Sequence, residues 1–538
     1  MSSETAHVDT FVRDHLPPRA EWPEFRFDLP SLRYPERMNC ADVLLDARLR
    51  AGDGARIAIR APDGECTYLQ LAAQANRIAR VLVEDMGLVP GNRVLLRGPN
   101  NPMMAACWLA VFKAGGVCVG TMPLLRAREL AEIVRKAEIT HALCDRRLDE
   151  ELKRAAAECP TLREIRYWYD DAPDSLDALC RTKPEHFDTV DTARDDPALV
   201  AFTSGTTGKP KGTVHFHRDV IAMCDVFPPH CLAPTKDDVF IGTPPLAFTF
   251  GLGGLLAFPL RHGASVALVE KFTPQTLVEA IQRFRATVLF TAPTMYRQLA
   301  LVLRRGDVPT LRRCVSAGEA LPDATRQLFK EASGIEIVDG IGSTEMIHIF
   351  ISHTPERVRR GATGYALPGY VATVLDAEGR PCRPGEIGRL AVKGPTGCRY
   401  LADARQKDYV QGGWNVTGDA YVMDEDGYFF YQARTDDMIV SAGYNIAGPE
   451  VEGALLEHEA VAECGVVGVP DEERGTIVKA FVVLRPGYEP GEALAKALQE
   501  HVKRTIAPYK YPRQVEFVQS LPRTETGKLQ RYKLRAQG

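Results

Sequence analysis

The ten residues Thr203–Gly212, TSGTTGKPKG, hold three glycines, four hydroxyl side chains and two lysines, directly after the apolar run Leu199–Phe202. Glycines let backbone N–H groups close on an anion, and hydroxyls and lysines complete the cradle. The composition suits a phosphate loop; a flexible surface loop is the alternative. A Walker A loop is excluded, because Thr203 stands where that motif needs its first glycine and Pro210 where it needs Ser or Thr. The thirteen cysteines are scattered without a C-x-x-C pair, which fits reduced thiols rather than a disulfide framework or a structural metal site. With 66 basic and 70 acidic residues the net charge is -4, so no bulk positive field exists to collect nucleic acid. The start, MSSETAHVDTFVRDHLPP, has no apolar stretch of the kind a secretory signal needs.

The elements that must carry the loop read as alternating strands and helices. RIAIRA (56–61) and RVLLRG (93–98) are expected strands, and Leu71, Ala75, Ile78 and Leu82 recur at helical spacing within Gln70–Val83. SVALVE (265–270) and TVLFTAP (287–293) are further strands. Between them Thr273 offers an N-cap, with Pro274 at the first helical position and Leu277, Ile281 and Phe284 on one face. This rhythm predicts a parallel sheet with covering helices. One run, VFIGTPPLAFTFGLGGLLAFPL (239–260), has no charge over 22 residues, long enough to cross a bilayer. Pro244, Pro245, Gly251, Gly253, Gly254 and Pro259 break it up, so it is expected as buried core without membrane insertion. From Trp414 short alternating strands take over, and after Ser441 a second βα rhythm begins, with a boundary near Asp436.

TSGTTGKPKG resembles the signature of the adenylate-forming (ANL) enzymes, the family of acyl-CoA synthetases, firefly luciferase and nonribosomal adenylation domains. Four further stretches resemble that family's motifs in the same order: GIGSTE (340–345), TGD (417–419), ARTDDMIVSAGYNIAGPEVE (433–452) and PRTETGKLQR (522–531). The resemblance implies a multidomain α/β and α+β fold. Residues 1–433 would form a large N-terminal AMP-binding domain of two sheet subdomains plus a small β-barrel. Residues 434–440 would be a hinge, and 441–538 a small mobile α+β C-terminal domain.

It also implies a cytoplasmic ligase that uses ATP, Mg²⁺ and coenzyme A. A carboxylate first becomes an acyl-adenylate, and the thiol of CoA then displaces AMP. Thr203, Ser204, Gly205, Thr206, Thr207 and Lys211 match the loop on the triphosphate. Thr344 matches a residue near the α-phosphate, and Glu345 the carboxylate that binds magnesium. Gly318, Glu319 and Ala320 resemble one wall of the adenine pocket, and Asp339, Gly340 and Ile341 the other. Asp419 matches the acceptor of the ribose hydroxyls, with Arg434 as an added donor. Lys528 matches the lysine that enters between carboxylate and α-phosphate. Asp436 matches the hinge residue and Gly443 a glycine that lets pantetheine pass. Arg474 is a candidate for the CoA phosphates. Tyr444-Asn445 departs from a more basic pair in many acetyl-CoA synthetases.

GSTEMIHIFIS (342–352) resembles the corresponding stretch of benzoate-CoA ligases, whose pocket histidine matches His348 and pocket tyrosine Phe250. Phe248, Phe250, Met346 and His348 are therefore the expected acyl pocket, suited to a flat aromatic carboxylate. PPLAFTFG before the glycines differs from the benzoate pattern, and the chain as a whole looks most like 2-aminobenzoate-CoA ligases. The resemblance leaves three readings open: an aromatic acid-CoA ligase, a medium-chain acyl-CoA synthetase, or a stand-alone enzyme loading a carrier protein. The partner implied is a small aromatic carboxylate rather than nucleic acid, and a homodimer stays open.

Overall fold

The computed structural model describes residues 4–204, 210–441, 444–471, 475–524 and 528–537. Two large sheets lie back to back through a shared layer of helices. The first has six strands in the spatial order Glu164–Trp168, His141–Asp145, Arg93–Arg97, Val117–Thr121, Pro197–Ser204, Pro210–Phe216. All its pairs are parallel except the last, an antiparallel pair whose register runs to Ser204 opposite Pro210. The second has nine strands, with a parallel centre that includes Val239–Gly242, Val288–Thr291, Arg313–Ser316 and Ile337–Gly342.

Strand alternation explains the layering. Val94 and Leu96 point into the core between the sheets, while Leu95 points into a second core on the outer face. Helices Tyr68–Arg80, Pro102–Lys113 and His217–Phe227 fill the inner layer, and Pro274–Phe284, Pro293–Val302 and Asp323–Ser333 cover the outer face of the nine-stranded sheet. The expected cap is present: Thr273 accepts from the Thr276 N–H, with Pro274 in the first turn. All thirteen cysteines are free.

Three expectations are adjusted. The helix expected over 70–83 spans Tyr68–Arg80 and then widens into a π turn at Val81–Asp85. The strand expected over 265–270 stops at Ala267, where its neighbour Val239–Gly242 runs on toward Pro244 and Pro245, which have no N–H to donate. The small unit expected as a barrel is a five-stranded antiparallel sheet (Val371–Leu375, Ile387–Lys393, Val410–Gln411, Trp414–Met423, Phe429–Arg434). Its hub strand Trp414–Met423 pairs with three neighbours, and among the described residues the path stays open. Beyond it, the antiparallel strands Val461–Asp471 and Gly475–Leu484 and the helices Gly448–Leu456 and Glu492–Thr505 form a smaller α+β unit with its own core.

The uncharged run folds inside the protein. After the strand Val239–Gly242 it turns at the prolines and becomes the helical segments Thr249–Leu252, Gly253–Ala257 and Phe258–His262, which follow one another without a break. No helix among the described residues is long and apolar enough to cross a membrane.

Candidate active site

The site forms where the carboxyl ends of the second sheet's strands meet the tip of the Pro197–Ser204/Pro210–Phe216 pair, the location favoured for ligands in open α/β sheets. Thr203 stands opposite Lys211 in register, and Ser204 opposite Pro210. Gly205, Thr206, Thr207, Gly443 and Arg474 lie outside the described residues, as do the side chains of Ser204 and Asp436. The Asp436 backbone falls in the single turn Thr435–Asp437 that follows Arg434.

The turn Ser343–His348 joins strands Ile337–Gly342 and Ile349–Ser352. Ile347 takes a left-handed conformation at φ 65°, and its N–H donates to the Thr344 carbonyl at 3.1 Å. A β-branched residue there costs about 1–2 kcal/mol. The fold bears that cost in a turn that sends Glu345 and His348 to different surroundings.

Glu345 meets charge. Its Oε1 accepts a 2.6 Å hydrogen bond from the Tyr400 hydroxyl, which itself accepts from Lys211 Nζ at 3.0 Å; Lys211 lies 3.7 Å from the carboxylate. Burial and the neighbouring Glu345 charge hold the Tyr400 hydroxyl far above its ordinary pKa, so it remains a donor. No group of three or more His, Cys, Asp or Glu side chains gathers among the described residues. A single carboxylate with one oxygen engaged by Tyr400 suits a hard divalent cation whose other ligands come from phosphate and water.

His348 meets rings. It is 4% exposed and packs against Phe258 (4.5 Å between ring centroids), Phe250 (5.6 Å), Phe227 (5.7 Å) and Phe290 (6.4 Å). Neither ring nitrogen has a hydrogen-bond partner of good geometry among the described residues. Burial lowers its pKa to about 3, against weak support from the Phe250 backbone, so the imidazole is neutral. A Cβ at Gly253 would stand 2.5 Å from its Cδ2, so only glycine lets the helix approach the ring. Both helices that bring Phe227 and Phe258 carry a π turn beside the ring, at Pro228–Leu232 and Gly253–Ala257. Phe248 is half-buried at the helix start and makes none of these ring contacts, whereas Met346 is fully buried in the inter-sheet core. Met346 thus shares the core cluster of Phe227, Phe258 and Phe290, against which Phe250 also packs.

A third group lies at the strand ends and across the second unit. Gly318, Glu319 and Ala320 follow the strand Arg313–Ser316, and Asp339, Gly340 and Ile341 lie in the next strand. Asp339 is buried, and its Oδ1 has no hydrogen-bond partner of good geometry among the described residues; desolvation, only partly opposed by Arg326, the Gly340 N–H and Ser316, raises its pKa to about 7. Arg434 Nη1 reaches Asp419 Oδ1 at 3.1 Å, and a Cβ at Gly418 would stand 2.4 Å from the same guanidinium.

Lys528 comes from the far end of the chain. Its backbone is stapled to Thr524 by two hydrogen bonds of 2.7 and 3.0 Å, and its side chain passes over Gly318. The side chain keeps an exposed surface, yet the cleft around it removes enough water to lower its pKa. The Glu319, Asp419 and Glu345 carboxylates oppose that shift.

Two arginines dock the smaller unit. Arg297 donates to the Ala462 carbonyl at 2.9 Å, and Arg523 bridges Glu463 at 2.8 Å and Glu319 at 3.5 Å. Sequence reasoning missed Tyr400, Phe227, Phe258, Phe290 and these arginines. Each phenylalanine sits in a run that reads as plain core, no motif marks Tyr400 or Arg297, and Arg523 lies inside PRTETGKLQR without its docking contact being legible there.

The family model described as AMP-binding enzyme matches residues 47–400, and that described as AMP-binding enzyme C-terminal domain matches 450–528. A benzoate–CoA ligase of Thauera aromatica is 37% identical over 516 residues, covering 94% of this chain and 97% of the relative. The crystal structure of the anthranilate CoA ligase AuaEII in complex with anthranoyl-AMP superposes with a TM-score of 0.90 at 34% identity, over 95% of this chain and 99% of that one. A benzoate CoA ligase from Burkholderia xenovorans LB400 gives 0.85 at 32% identity, over 93% and 100%.

Proposed function

Since the chain belongs to the AMP-binding, adenylate-forming enzyme family, we propose that it activates an aromatic carboxylate with ATP and passes the acyl group to coenzyme A. One observation carries the choice of acid. Three residues past Glu345, the same turn sends a neutral imidazole, whose nitrogens make no hydrogen bond of good geometry among the described residues, into a cage of four phenylalanines. A flat aryl ring matches the apolar walls, and an ortho amino or hydroxyl group could give the imidazole a well-formed hydrogen bond.

In the first step a carboxylate oxygen bonds to the α-phosphorus of ATP, and the bond to pyrophosphate breaks. An anion must approach a polyanion, so placed positive charge does most of the work. Lys528 supplies it between the two reactants, and Lys211 with the Thr203–Gly212 loop holds the departing phosphates. The lowered pKa of Lys528 leaves its ammonium less stabilised when the site is empty, ready to gain from the incoming anions. Glu345 is the carboxylate that would hold magnesium, which neutralises phosphate charge when bound. Asp419, steadied by Arg434, accepts the ribose hydroxyls; Gly318–Ala320 and Asp339–Ile341 flank the base. In the second step the sulfur of CoA bonds to the acyl carbon and AMP leaves. The unit beyond Asp436 would turn for that step, with Gly443 passing pantetheine and Arg474 near the nucleotide end of CoA.

Specificity constants for benzoate, 2-aminobenzoate, 2-hydroxybenzoate and hexanoate test the reading, with thioester formation followed directly. An aryl acid is expected to lead hexanoate by at least about tenfold, or roughly 1.4 kcal/mol of transition-state binding. A tenfold lead for hexanoate would overturn it.

A further inference from the structure

The segment before Asp28 has no part in the reading above, yet it packs behind the site. Residues 399–401 lie as an extra strand on Pro210–Phe216: Tyr400 bridges Thr213, the Val214 N–H donates to the Arg399 carbonyl at 2.8 Å, and the Leu401 N–H to Gly212 at 2.8 Å. Neighbours on a strand face opposite ways. Tyr400 therefore faces Glu345 and Lys211, while Arg399 faces backward into full burial.

There Arg399 pairs with Asp219, in the first turn of helix His217–Phe227. Its guanidinium also lies 3.9 Å from the Phe216 ring centroid, 4.8 Å from Phe25 and 5.5 Å from Trp22. A buried ion pair gives little net stability by itself, so its presence fits a need to fix geometry. Phe25 and Trp22 belong to the N-terminal segment, which is tied to the same region: Ala402 N–H to the His15 carbonyl at 2.9 Å, Gln406 Nε2 to Glu21 at 2.8 Å, Arg26 N–H to Gly394 at 2.9 Å. A second line reaches the same turn, because His215 lies 3.6 Å from Asp219 and its Nε2 meets the Thr344 carbonyl at 2.7 Å.

We propose that Tyr400 is a positioning residue for the metal-nucleotide side of the site, and that the N-terminal strap sets it through Arg399 caged on Trp22 and Phe25. The Tyr400 hydroxyl holds one Glu345 oxygen and steers Lys211, so the carboxylate presents its other oxygen in a fixed direction. The inference rests on the activity proposed above.

Tyr400→Phe tests it by removing one oxygen, and Trp22→Ala and Trp22→Phe test the strap. Two quantities are read on the full chain: the rise in melting temperature with ATP plus Mg²⁺ over ATP plus EDTA, and pyrophosphate exchange as Mg²⁺ is titrated. For Tyr400→Phe, half-saturating Mg²⁺ should rise and exchange should fall, by about 10–100-fold together, the range for losing a hydrogen bond to a charged group. The KM for the aryl acid should stay unchanged, and the Mg²⁺-specific thermal shift should shrink. Trp22→Ala should show the same signature more weakly, and Trp22→Phe should restore it.

An unchanged Mg²⁺ curve and thermal shift in Tyr400→Phe would overturn the inference. A Trp22→Ala that melts earlier but keeps the wild-type Mg²⁺ curve would reduce the strap to scaffolding and overturn its half. If the wild-type chain exchanges no pyrophosphate, the proposed activity fails, and the Mg²⁺-specific shift still decides on Tyr400.

Discussion

Glu345 and His348 are three residues apart, and their surroundings have almost nothing in common. Around Glu345 stand a lysine and a tyrosine hydroxyl, with Lys528 across the cleft. Around His348 stand four phenylalanines, and its nitrogens make no hydrogen bond of good geometry among the described residues. The first environment can recognise charge that every reaction of this kind shares. The second can recognise only shape and one polar substituent. A single strained turn thus separates the chemistry from the choice of acid, and variants on either side should affect one without the other.

The largest effect belongs to the charged side. Lys528→Ala should slow adenylate formation by about 10²–10³-fold, the scale for losing a transition-state charge contact. Transfer to CoA from a supplied acyl-adenylate should stay close to wild type, and single-turnover measurements of each half-reaction check both. Equal losses in the two would break the division. On the caged side, His348→Leu should lower the specificity constant for an ortho-substituted aryl acid by about tenfold or more, as expected when a substrate group loses its hydrogen-bond partner. The KM for ATP should not move; if it does, the two environments are coupled.

The same variant sharpens the contrast through pH. A histidine ordinarily titrates near 6.5, and His348 in the fold near 3, so the unfolded chain binds more protons in between. Its contribution to stability is complete above 6.5 and is lost as pH falls toward 3. By pH 5 the loss should be about 2 kcal/mol, at about 1.4 per unit. Denaturant titrations should show a flatter acid limb in His348→Leu. Asp339 has the opposite sign: its raised pKa gives stability that is complete below 3.8 and fades as pH rises through about 7. The smallest effect is expected at the docking contacts. Arg523 is partly exposed, so Arg523→Ala should change stability by no more than about 1 kcal/mol. Adenylate formation should slow a few-fold relative to transfer to CoA, and added salt should mimic the change.

What could be read from the sequence follows the same line. Thr203–Gly212, Thr344-Glu345, Asp419 and Lys528, on which the proposed function rests, sit in short contiguous motifs that a local reading can pick out. The strands and the Thr273 cap were legible because hydrophobic period and capping chemistry are local. The cage was not. Phe227, Phe258 and Phe290 come from two helices and a strand far apart in the chain, and each satisfies the ordinary pattern of a buried face. Tyr400 and Arg399 escaped for a related reason: their meaning depends on which strand they lie beside, and no local pattern states that.

The wide turns beside Phe227 and Phe258 add a further consequence. Such a turn accommodates one residue beyond the usual helical count, and each residue of a helix rotates its successors by about 100°. Deleting one residue between Gly253 and Ala257 would swing Phe258 from the imidazole toward another quarter of the helix, with no side chain exchanged. Appetite for a new acid can therefore be acquired through chain length as readily as through substitution, while the phosphate-handling end keeps its register.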